Sequence, residues 1–224
     1  MKTIAIIPAR GGSKRLPQKN ILLLGGIPLI AHSILYAQAN SKIIDEIYVS
    51  TDDEQIKKNA LQYGVKVIDR PATISGDLEP TVSALKHALE SIDDEVENII
   101  LLQPTNPLRP LNLLKEAFGN YLKEERDSLF TVSRSEQKLG KINNNEFIPF
   151  NYEIGQRSQD LEPFFYENGL LYITKANLIF EDIIISENAF PYEVNHIFAN
   201  IDIDTKEDLE YAEYLYQKIR SHNP

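Results

Sequence analysis

The sequence predicts an α/β fold in which a mostly parallel sheet carries helices on both faces. Three observations support this prediction. Strand-like and helix-like segments alternate through the first half, the strands are apolar throughout, and the chain of 224 residues is long enough for one domain with a substantial core. Apolar strands without alternation indicate burial on both faces, as in parallel sheets. We therefore expect a single domain over residues 1–224.

The first half is predicted to repeat a strand, a loop and a helix. Residues 3–8 are an isoleucine-rich strand, and residues 9–20 form a basic loop that contains glycine. Pro28 suits the first position of a helix that runs to about residue 40, and Gly64 suits the end of the next helix. The remaining predicted elements are strands at 46–50, 65–68 and 98–102 and helices from about Asp53, over 79–91, and from Pro110 to about 122.

The second half has a different pattern. Residues 128–133, 147–150 and 170–174 read as strands without helices between them, which predicts an antiparallel excursion or arm within about 128–175. Residues 195–201 also look like a strand. A last helix is expected from Thr205 to about residue 220, capped by Thr205 or Asp204. Its apolar positions recur every three or four residues, which predicts one buried stripe: Leu209, Ala212, Leu215 and Ile219.

Composition limits the classes of function. The formal net charge of −10 argues against non-specific binding to nucleic acid or to anionic membranes. The absence of cysteine excludes disulfides and thiolate chemistry and suits a reducing cytoplasm, where we expect the protein. No apolar run approaches the ~20 residues of a membrane span, and the N-terminus does not resemble a signal peptide.

The loop after the first strand is the strongest site signal. It reads PARGGSKRLPQKN and places four cations in an acidic protein: Arg10, Lys14, Arg15 and Lys19. Gly11 and Gly12 allow the backbone to approach a ligand and to present N–H groups. Cations at the carboxyl end of a parallel strand suit a triphosphate and its pyrophosphate leaving group, whereas the alternative is a solvated charged turn. The spacing fits neither a P-loop nor a dinucleotide fingerprint.

A second signal is the pair Asp202 and Asp204. Alternate residues of a strand share one face, so both carboxylates are expected to point the same way. With triphosphate oxygens and water they would complete an oxygen-only site that suits Mg²⁺, or alternatively Mn²⁺. The alternative is that Asp204 caps the last helix while Asp202 lies in a turn.

Six motifs in order resemble the acylneuraminate cytidylyltransferases, also called CMP-sialic acid synthetases, over nearly the whole chain. They are IIPARGGSKRLPQKN, STDD, DRPA, LLQPTNPLR, NGLLYI and IDID. The resemblance implies a Rossmann-like nucleotidyltransferase sheet, a homodimer joined through the arm, and transfer of CMP from CTP to the anomeric hydroxyl of a nine-carbon 2-keto sugar acid. The substrate is expected to be of the N-acetylneuraminate or legionaminate type.

The resemblance also assigns site residues. The nucleotide would be held by residues of the opening loop and one arginine after the third strand: Ala9, Arg10, Gly11, Gly12, Lys14, Asn20 and Arg70. Arg10, Lys19 and Asp204 are the expected catalytic residues, and Asp202 and Asp204 the metal ligands. Arg70 would face the cytosine, although an ion pair with Asp69 or Asp77 is its structural alternative.

The sugar acid would meet residues from three segments: Gln103, Thr105, Arg157, Asn168 and Gly169. Gln103 offers both a donor and an acceptor, in a loop stiffened by prolines whose alternative role is a plain rigid turn. Arg157 resembles a basic position on the arm that reaches toward the partner subunit's site, although an exposed arginine is more often solvated. Arg109 is expected to be structural or to orient the loop.

Two departures bear on the sugar. Arg15 replaces a glycine of many relatives, and Asn106 replaces their more frequent serine. Pseudaminate is disfavoured because its enzymes usually depart from the QPT motif, and the octulosonate enzymes lack the double glycine. A nucleotide-binding regulatory protein without catalysis and a sugar-1-phosphate nucleotidyltransferase are the rivals from other classes.

Overall fold

The structure is a computed structural model that describes residues 2–222. A seven-stranded sheet has the strand order β11-β7-β10-β6-β1-β4-β5, and every strand except β10 runs in the same direction. Its strands are β1 (Thr3–Pro8), β4 (Glu46–Thr51), β5 (Lys66–Asp69), β6 (Asn98–Leu101), β7 (Ser128–Ser135), β10 (Phe164–Lys175) and β11 (Phe190–Glu193). Two small hairpins are β2 (Leu23–Leu24) with β3 (Ile27–Pro28), and β8 (Gly140–Asn143) with β9 (Glu146–Pro149).

Helices cover both faces of this sheet, as the sequence predicts. They are α1 (Leu29–Ala39), α2 (Glu54–Gln62), α3 (Thr81–Glu90), α4 (Leu113–Lys123), α5 (Ala176–Phe180) and α6 (Lys206–His222). On β1, Ala5 and Ile7 pack with α1, α2 and α4, whereas Ile4 and Ile6 pack with α3 and α5. The uninterrupted apolar run of β1 therefore supplies both cores, which is why it does not alternate.

A third apolar cluster attaches the C-terminal part of the chain. Ile201 and Ile203 pack with Ala212 and Leu215 of α6 and with Leu24 of the first hairpin. Thr205 begins α6, because its hydroxyl oxygen accepts from the Asp208 N–H at 3.2 Å while the Asp208 carboxylate accepts from the Thr205 N–H at 2.8 Å. This reciprocal arrangement is a capping box with aspartate in place of glutamate. The predicted apolar stripe faces this cluster.

Three predicted boundaries are wrong. Pro28 pairs with Leu23 in a hairpin that turns at Gly25 and Gly26, so α1 begins one residue later. Pro110 lies in a turn whose carbonyl accepts from the Leu113 N–H, and α4 begins only there. Residues 195–201 are not a strand, since Ile197–Asn200 form a 3₁₀ turn. Short apolar runs do not distinguish these conformations by periodicity.

The predicted arm is narrower than expected. β7 and β10, at its two ends, are strands of the main sheet, and residues 136–163 between them carry the β8–β9 hairpin. Its turn is Asn144–Asn145, with φ of 48° and 65°. Asparagine tolerates this left-handed conformation, which two-residue hairpin turns require. The elements β8, β11 and α5, each of which is short, were not predicted from the sequence.

Candidate active site

A cleft of about 530 Å³ opens at the carboxyl ends of β1, β5 and β6. Its walls include the four cations of the opening loop, together with Arg70, Asp77, Gln103, Thr105 and Asp204. Arg10 and Asp204, which are far apart in the sequence, therefore line the same cleft. This is the position that the topology of open α/β sheets assigns to a ligand.

The four cations of the loop are held by two aspartates. Asp77 pairs with Arg10, at 2.7 Å between Oδ1 and Nη1, and with Lys14. Asp204 pairs with Arg15 at 2.6 Å and with Lys19 at 2.9 Å. Lys14 and Arg15 are largely solvated, as in the alternative of a solvated charged turn, but all four cations line the cleft.

The loop is positioned by its own polar residues. The Asn20 side chain is buried and donates from Nδ2 to the Arg10 carbonyl at 2.9 Å, which ties the two ends of the loop together. Gln18 has a φ of 56° and precedes the 3₁₀ turn Lys19–Ile21. The Lys19 side chain is 12% exposed, so its ammonium group is fixed at the wall beside Asp204.

Gly11 differs from the expectation of a bare amide that faces a phosphate. The Gly11 N–H donates to Asp52 Oδ1 at 2.9 Å, and the Ala9 N–H donates to the Ser50 carbonyl. A Cβ on Gly11 would lie 2.8 Å from the Cβ of Asp53, so this glycine permits close packing on the start of α2. None of Ala9, Gly11 and Gly12 lines the cleft. A Cβ on Gly12 would meet no atom within 4 Å.

Arg70 is buried at the base of the cleft, and neither of its proposed ion pairs forms. Its guanidinium donates to the Ser50 hydroxyl at 3.1 Å and to the Ser50 carbonyl at 2.6 Å, whereas Asp69 pairs with Lys57. Desolvation lowers the pKa of Arg70, and the charge of Asp52 opposes that effect. The surface ion-pair alternative for Arg70 is therefore wrong.

Asp202 and Asp204 lie on an extended segment, not on a strand. The segment is anchored by the Ile203 N–H, which donates to the Thr105 carbonyl at 2.8 Å, and by the buried side chains of Ile201 and Ile203. Alternation along an extended backbone still places both carboxylates on the open side. Desolvation, followed by the charge of Asp204, raises the pKa of Asp202.

A second pocket of about 490 Å³ adjoins the cleft at Gln103. Its other lining residues include Asn106, Glu167, Asn168, Gly169, Tyr172 and Asp202. The Tyr172 hydroxyl donates to the Glu167 carboxylate, and burial, with this hydrogen bond, raises the pKa of Tyr172. Gln103 thus lines both cavities. Of the acidic pair, Asp204 lines the cleft and Asp202 lines the second pocket.

Asn168 has a structural use that the sequence did not indicate. Its Oδ1 accepts from the Thr131 hydroxyl at 2.6 Å, and its Nδ2 donates to the Ser133 hydroxyl at 2.9 Å, so the amide joins β7 to β10. Gly169 has a φ of 74°, where the register of β10 shifts. Both residues border the second pocket, but the buried amide of Asn168 is directed into the protein.

Arg109 is a buried organiser of the site. Its guanidinium donates to the carbonyls of Leu170 and Gln103, at 2.6 and 2.9 Å, and to the Ser33 hydroxyl at 3.0 Å. Desolvation lowers the pKa of Arg109 to about 10, so the side chain is charged at neutral pH. It joins α1, the Gln103 loop and β10, which agrees with the expected role of orienting this loop.

Arg157 lies far from this arrangement within the chain. Its side chain is 70% exposed and pairs with Asp160 through two hydrogen bonds of 2.7 and 3.0 Å. It lines neither of the two cavities.

Comparison with known proteins decides the family. The model of the family described as cytidylyltransferase matches residues 4–220. The chain belongs to the cytidylyltransferase family. The resemblance identified from the six sequence motifs is thereby confirmed, and the enzyme class with it.

Three relatives of this cytidylyltransferase carry related names. The pseudaminic acid cytidylyltransferase of Campylobacter jejuni and the CMP-N,N'-diacetyllegionaminic acid synthase of Legionella pneumophila are each 36% identical, with 97% of both chains covered. The N-acylneuraminate cytidylyltransferase of Streptococcus agalactiae is 35% identical over 93% of this chain and 52% of its own length. The expectation against pseudaminate gains no support from these identities.

A solved structure confirms the fold of the cytidylyltransferase. The CMP:2-keto-3-deoxy-manno-octonic acid synthetase complexed with CTP has a TM-score of 0.74 and covers 97% of this chain and 99% of its own. At 19% identity this likeness concerns the fold alone. No helix within residues 2–222 of the present chain is both long and apolar enough to span a membrane.

The acidic pair of the cytidylyltransferase fits the expected divalent cation. Two neighbouring carboxylates offer the oxygen donors that Mg²⁺ and Mn²⁺ prefer. Desolvation raises the pKa of Asp202, the charge of Asp204 adds to that effect, and a bound cation would offset both. Residues 2–222 hold no group of three or more His, Cys, Asp or Glu that could bind a metal. The remaining ligands would therefore come from the nucleotide and from water.

Several residues of the site were not predicted from the sequence. Asp77 was expected only as a partner of Arg70, and Ser50, Asn106 and the Tyr172–Glu167 pair were not assigned to the site. Asn106 is buried and donates from Nδ2 to the Ile201 carbonyl at 2.8 Å and to the Asn168 carbonyl at 3.2 Å. The only signal for Asp77 was its place in a turn after a strand that ends at the ligand-binding edge.

Proposed function

We propose that this cytidylyltransferase transfers CMP from CTP to the anomeric hydroxyl of a nine-carbon 2-keto sugar acid and releases pyrophosphate. One observation supports it most directly: a cationic cleft and a second polar pocket meet at Gln103, with Asp204 lining the first and Asp202 the second. A triphosphate suits the first cavity, and the amide and hydroxyl groups of the second suit the hydroxyls of a sugar. The charged residues that line the second pocket are Glu167 and Asp202, so the sugar carboxylate would need a cation from elsewhere.

The nucleotide is placed in the first cavity. Arg10, Lys14 and Lys19 would bind its phosphates. Their cationic N–H groups can donate charge-assisted hydrogen bonds to phosphate oxygens, and such bonds are stronger than those between neutral groups. Arg70, whose guanidinium is already buried and oriented by Ser50, would face the base. Asn20 would act near the α-phosphate while it fixes the loop. Ala9, Gly11 and Gly12 would shape the loop around the nucleotide.

The chemistry is an in-line displacement. The sugar oxygen bonds to the α-phosphorus, the bond from that phosphorus to the β-bridging oxygen breaks, and the hydroxyl proton passes to solvent. Positioning and charge neutralisation supply most of the catalysis of such a transfer. Arg10 and Lys19 stabilise the charge on the departing pyrophosphate. Asp202 and Asp204 would hold Mg²⁺, or Mn²⁺, which would supply Lewis-acid polarisation of a phosphoryl oxygen.

The sugar acid is placed in the second cavity. Gln103 would bind its hydroxyls together with Thr105, which lines the adjoining first cavity, and Asn168 and Gly169 would shape the wall of the second. The sequence favours the N-acetylneuraminate or legionaminate type, whereas one relative of full length is named for pseudaminic acid. The proposal therefore covers the nine-carbon class, and a substrate panel assigns the member.

A homodimer completes the proposal. The hairpin presents large apolar side chains to solvent, among them Ile142, which is 78% exposed, and Ile148, which is 50% exposed. A two-stranded hairpin is marginal by itself in water, so a second copy is the proposed cover. Arg157, on the same arm, would then reach toward the partner subunit's site and meet the sugar carboxylate.

We place the enzyme in the cytoplasm.

The test is a substrate panel with pyrophosphate release as the readout. The protein is incubated with CTP, Mg²⁺ and, one at a time, N-acetylneuraminate, legionaminate, pseudaminate, an octulosonate and a sugar 1-phosphate. We expect release with at least one nine-carbon acid, and much less when UTP replaces CTP. Binding of CTP without release for any acceptor would favour the regulatory alternative, and release only with the sugar 1-phosphate would favour the other rival.

Asp204→Asn tests the acidic pair. The substitution should lower turnover by about 100-fold or more, the effect of removing one group that stabilises transition-state charge. Folding should persist, because the Asp204 side chain pairs with two cations at the surface of a cleft. Pyrophosphate release measures turnover, and thermal unfolding measures stability. The paramagnetic resonance signal of Mn²⁺ measures whether the variant still binds the metal.

The matched control for this variant is Glu207→Gln, in the exposed first turn of α6. It removes the same charge three residues away and should leave turnover within about twofold, as surface substitutions usually do. Pyrophosphate release at the wild-type rate from Asp204→Asn would refute the metal assignment.

A further inference from the structure

Asp77 is an acidic residue in a cleft proposed to bind a polyanion. It lies between the 3₁₀ turn Ala72–Ile74 and α3, and it lines the cleft together with its neighbours Gly76 and Glu79. No step of the proposed reaction uses it. A carboxylate in this position repels a phosphate, so its presence calls for an explanation.

The Asp77 carboxylate forms ion pairs with Arg10 and Lys14, two cations of the opening loop. Oδ1 lies 2.7 Å from Arg10 Nη1, and Oδ2 accepts from Lys14 Nζ. The hydrogen bond from Lys14, followed by the charges of Lys14 and Arg10, lowers the pKa of Asp77. Asp77 is therefore ionised at neutral pH and neutralises part of the phosphate-binding charge.

The two partners of Asp77 differ in how exposed their side chains are. The Lys14 side chain is 82% exposed, so it can leave Asp77 without disturbing the fold, whereas Arg10 is 32% exposed. Phosphate oxygens and the Asp77 oxygens are acceptors for the same donors. A ligand must replace the aspartate on Arg10 and Lys14, and the aspartate must return when the ligand leaves.

We propose that Asp77 is a resident counter-ion that competes with phosphate groups for Arg10 and Lys14 and thereby keeps the affinity for released pyrophosphate low. This inference rests on the proposed function, and it makes Asp77 a competitor of the ligand for two phosphate-binding cations. Competition and a merely structural role predict opposite changes in ligand affinity when Asp77 is replaced. Removing a structural contact weakens ligand binding, whereas removing a competitor strengthens it.

The test is the binding of inorganic pyrophosphate, measured by calorimetry at low salt, and its inhibition constant in the forward assay. Asp77→Asn should bind pyrophosphate about three- to tenfold more tightly, because the two partly exposed ion pairs no longer compete with phosphate oxygens for Arg10 and Lys14. The gain should shrink in 0.5 M salt, which screens exposed charges.

The matched control is Glu79→Gln. Glu79 lines the same cleft two residues away, whereas the ion pairs of Arg10 and Lys14 are with Asp77. We expect this variant to change pyrophosphate affinity by less than twofold. A Lys14→Met background should reduce the gain from Asp77→Asn, because one of the two contested cations is then absent. Asp77→Glu should restore affinity toward the wild-type value.

The outcomes separate the two proposals. Unchanged or weaker binding by Asp77→Asn, or an equal gain in Glu79→Gln, would overturn the inference while wild-type binding leaves the proposed function standing. If neither the wild type nor any variant binds pyrophosphate while the wild type still releases it from CTP, the inference is wrong and the proposed function stands. If the wild type neither binds nor releases pyrophosphate, both are wrong.

Discussion

At the scale of single residues, the opening loop and the acids that face it determine what the cleft can bind. Arg10 and Lys14 are balanced by Asp77, and Arg15 and Lys19 by Asp204. The residue types of the loop predicted an anion site. The balance between charges was not predictable, because Asp77 and Asp204 come from segments whose distance from the loop depends on the tertiary fold.

A surface network around Glu46 gives a prediction about pH. The Glu46 carboxylate accepts from Lys66 and from the Tyr48 hydroxyl, each at 2.5 Å, and pairs with Lys2 at 2.9 Å. These hydrogen bonds lower the pKa of Glu46 to about 2 from an ordinary 4.5. The ionised form is therefore stabilised by folding, and its contribution is complete above pH 4.5 and lost as the pH falls toward 2.

Glu46→Gln should lower the free energy of unfolding at pH 7 by about 1 kcal/mol or less, since solvent screens these pairs. The difference from the wild type should shrink between about pH 5 and pH 3.5, as the contribution of the ionised carboxylate is lost in acid. Urea unfolding at pH 7, 5 and 3.5 measures it. Glu90→Gln, at the exposed end of α3, is the control. A difference that grows in acid would contradict the assignment.

The roles assigned to single residues from the sequence stay predictions, and the structure tests only where those residues lie. Lys19, Arg70 and Asp204 line the cleft as expected. Asn168 shows the opposite case, because its amide is turned into the β7–β10 junction by Thr131 and Ser133. Which way a polar side chain turns depends on partners from distant strands, and no local pattern records that.

At the scale of elements, the bulge in β10 connects the sheet to the site. Gly169 has a left-handed conformation there, and a Cβ would lie 2.7 Å from Asn106 Oδ1. Asn106 in turn holds the Ile201 carbonyl just before the acidic pair. The bulge therefore supports the segment that carries Asp202 and Asp204.

Gly169→Ala should destabilise the protein by about 1–3 kcal/mol, the cost of a strained backbone position together with a displaced neighbour. Gly119→Ala in α4 is the control, because a Cβ there meets no atom within 4 Å and should stabilise the helix by about 0.5–1 kcal/mol. Chemical denaturation of both variants measures the effects. A loss of the same size in both would show that the bulge has no special role.

Elements that are long and buried were predicted correctly from the sequence, whereas several short elements were missed or assigned to the wrong type. β1, β4 and the stripe on α6 were predicted because burial imposes their apolar patterns. The region 195–201 was misread, since a 3₁₀ turn that contains the buried Ala199 and is followed by the buried Ile201 has the composition of a strand. The β8–β9 hairpin carries a local signal in its two-asparagine turn, although both of its strands are short and exposed.

At the scale of the whole molecule, the seven-stranded sheet carries the cleft, and the β8–β9 hairpin is a separate two-stranded sheet. The cleft lies at the carboxyl ends of the parallel strands, whereas residues 136–163 project between β7 and β10. The strand–helix alternation predicted the parallel sheet. The reversed direction of β10 was suggested only by the absence of helices in the second half.

The arm should determine the oligomeric state. Light scattering after size-exclusion chromatography is expected to give a wild-type mass near twice the 25.5 kDa of one chain. Ile142→Asp places a charge on the exposed face of the hairpin and should weaken the dimer by at least about tenfold, since desolvating an unpaired charge is costly. Leu111→Asp, at a position 86% exposed outside the arm, is the control. A monomeric wild type, or equal masses for all three proteins, would rule out this assembly.

The hydrogen bond between Ile203 and Thr105 joins the end of the chain to its middle. The acidic pair occupies its place only after the chain beyond it has emerged and α6 has docked on Ile201 and Ile203. Without that docking, the cations of the opening loop would face Asp77 but would lack Asp204.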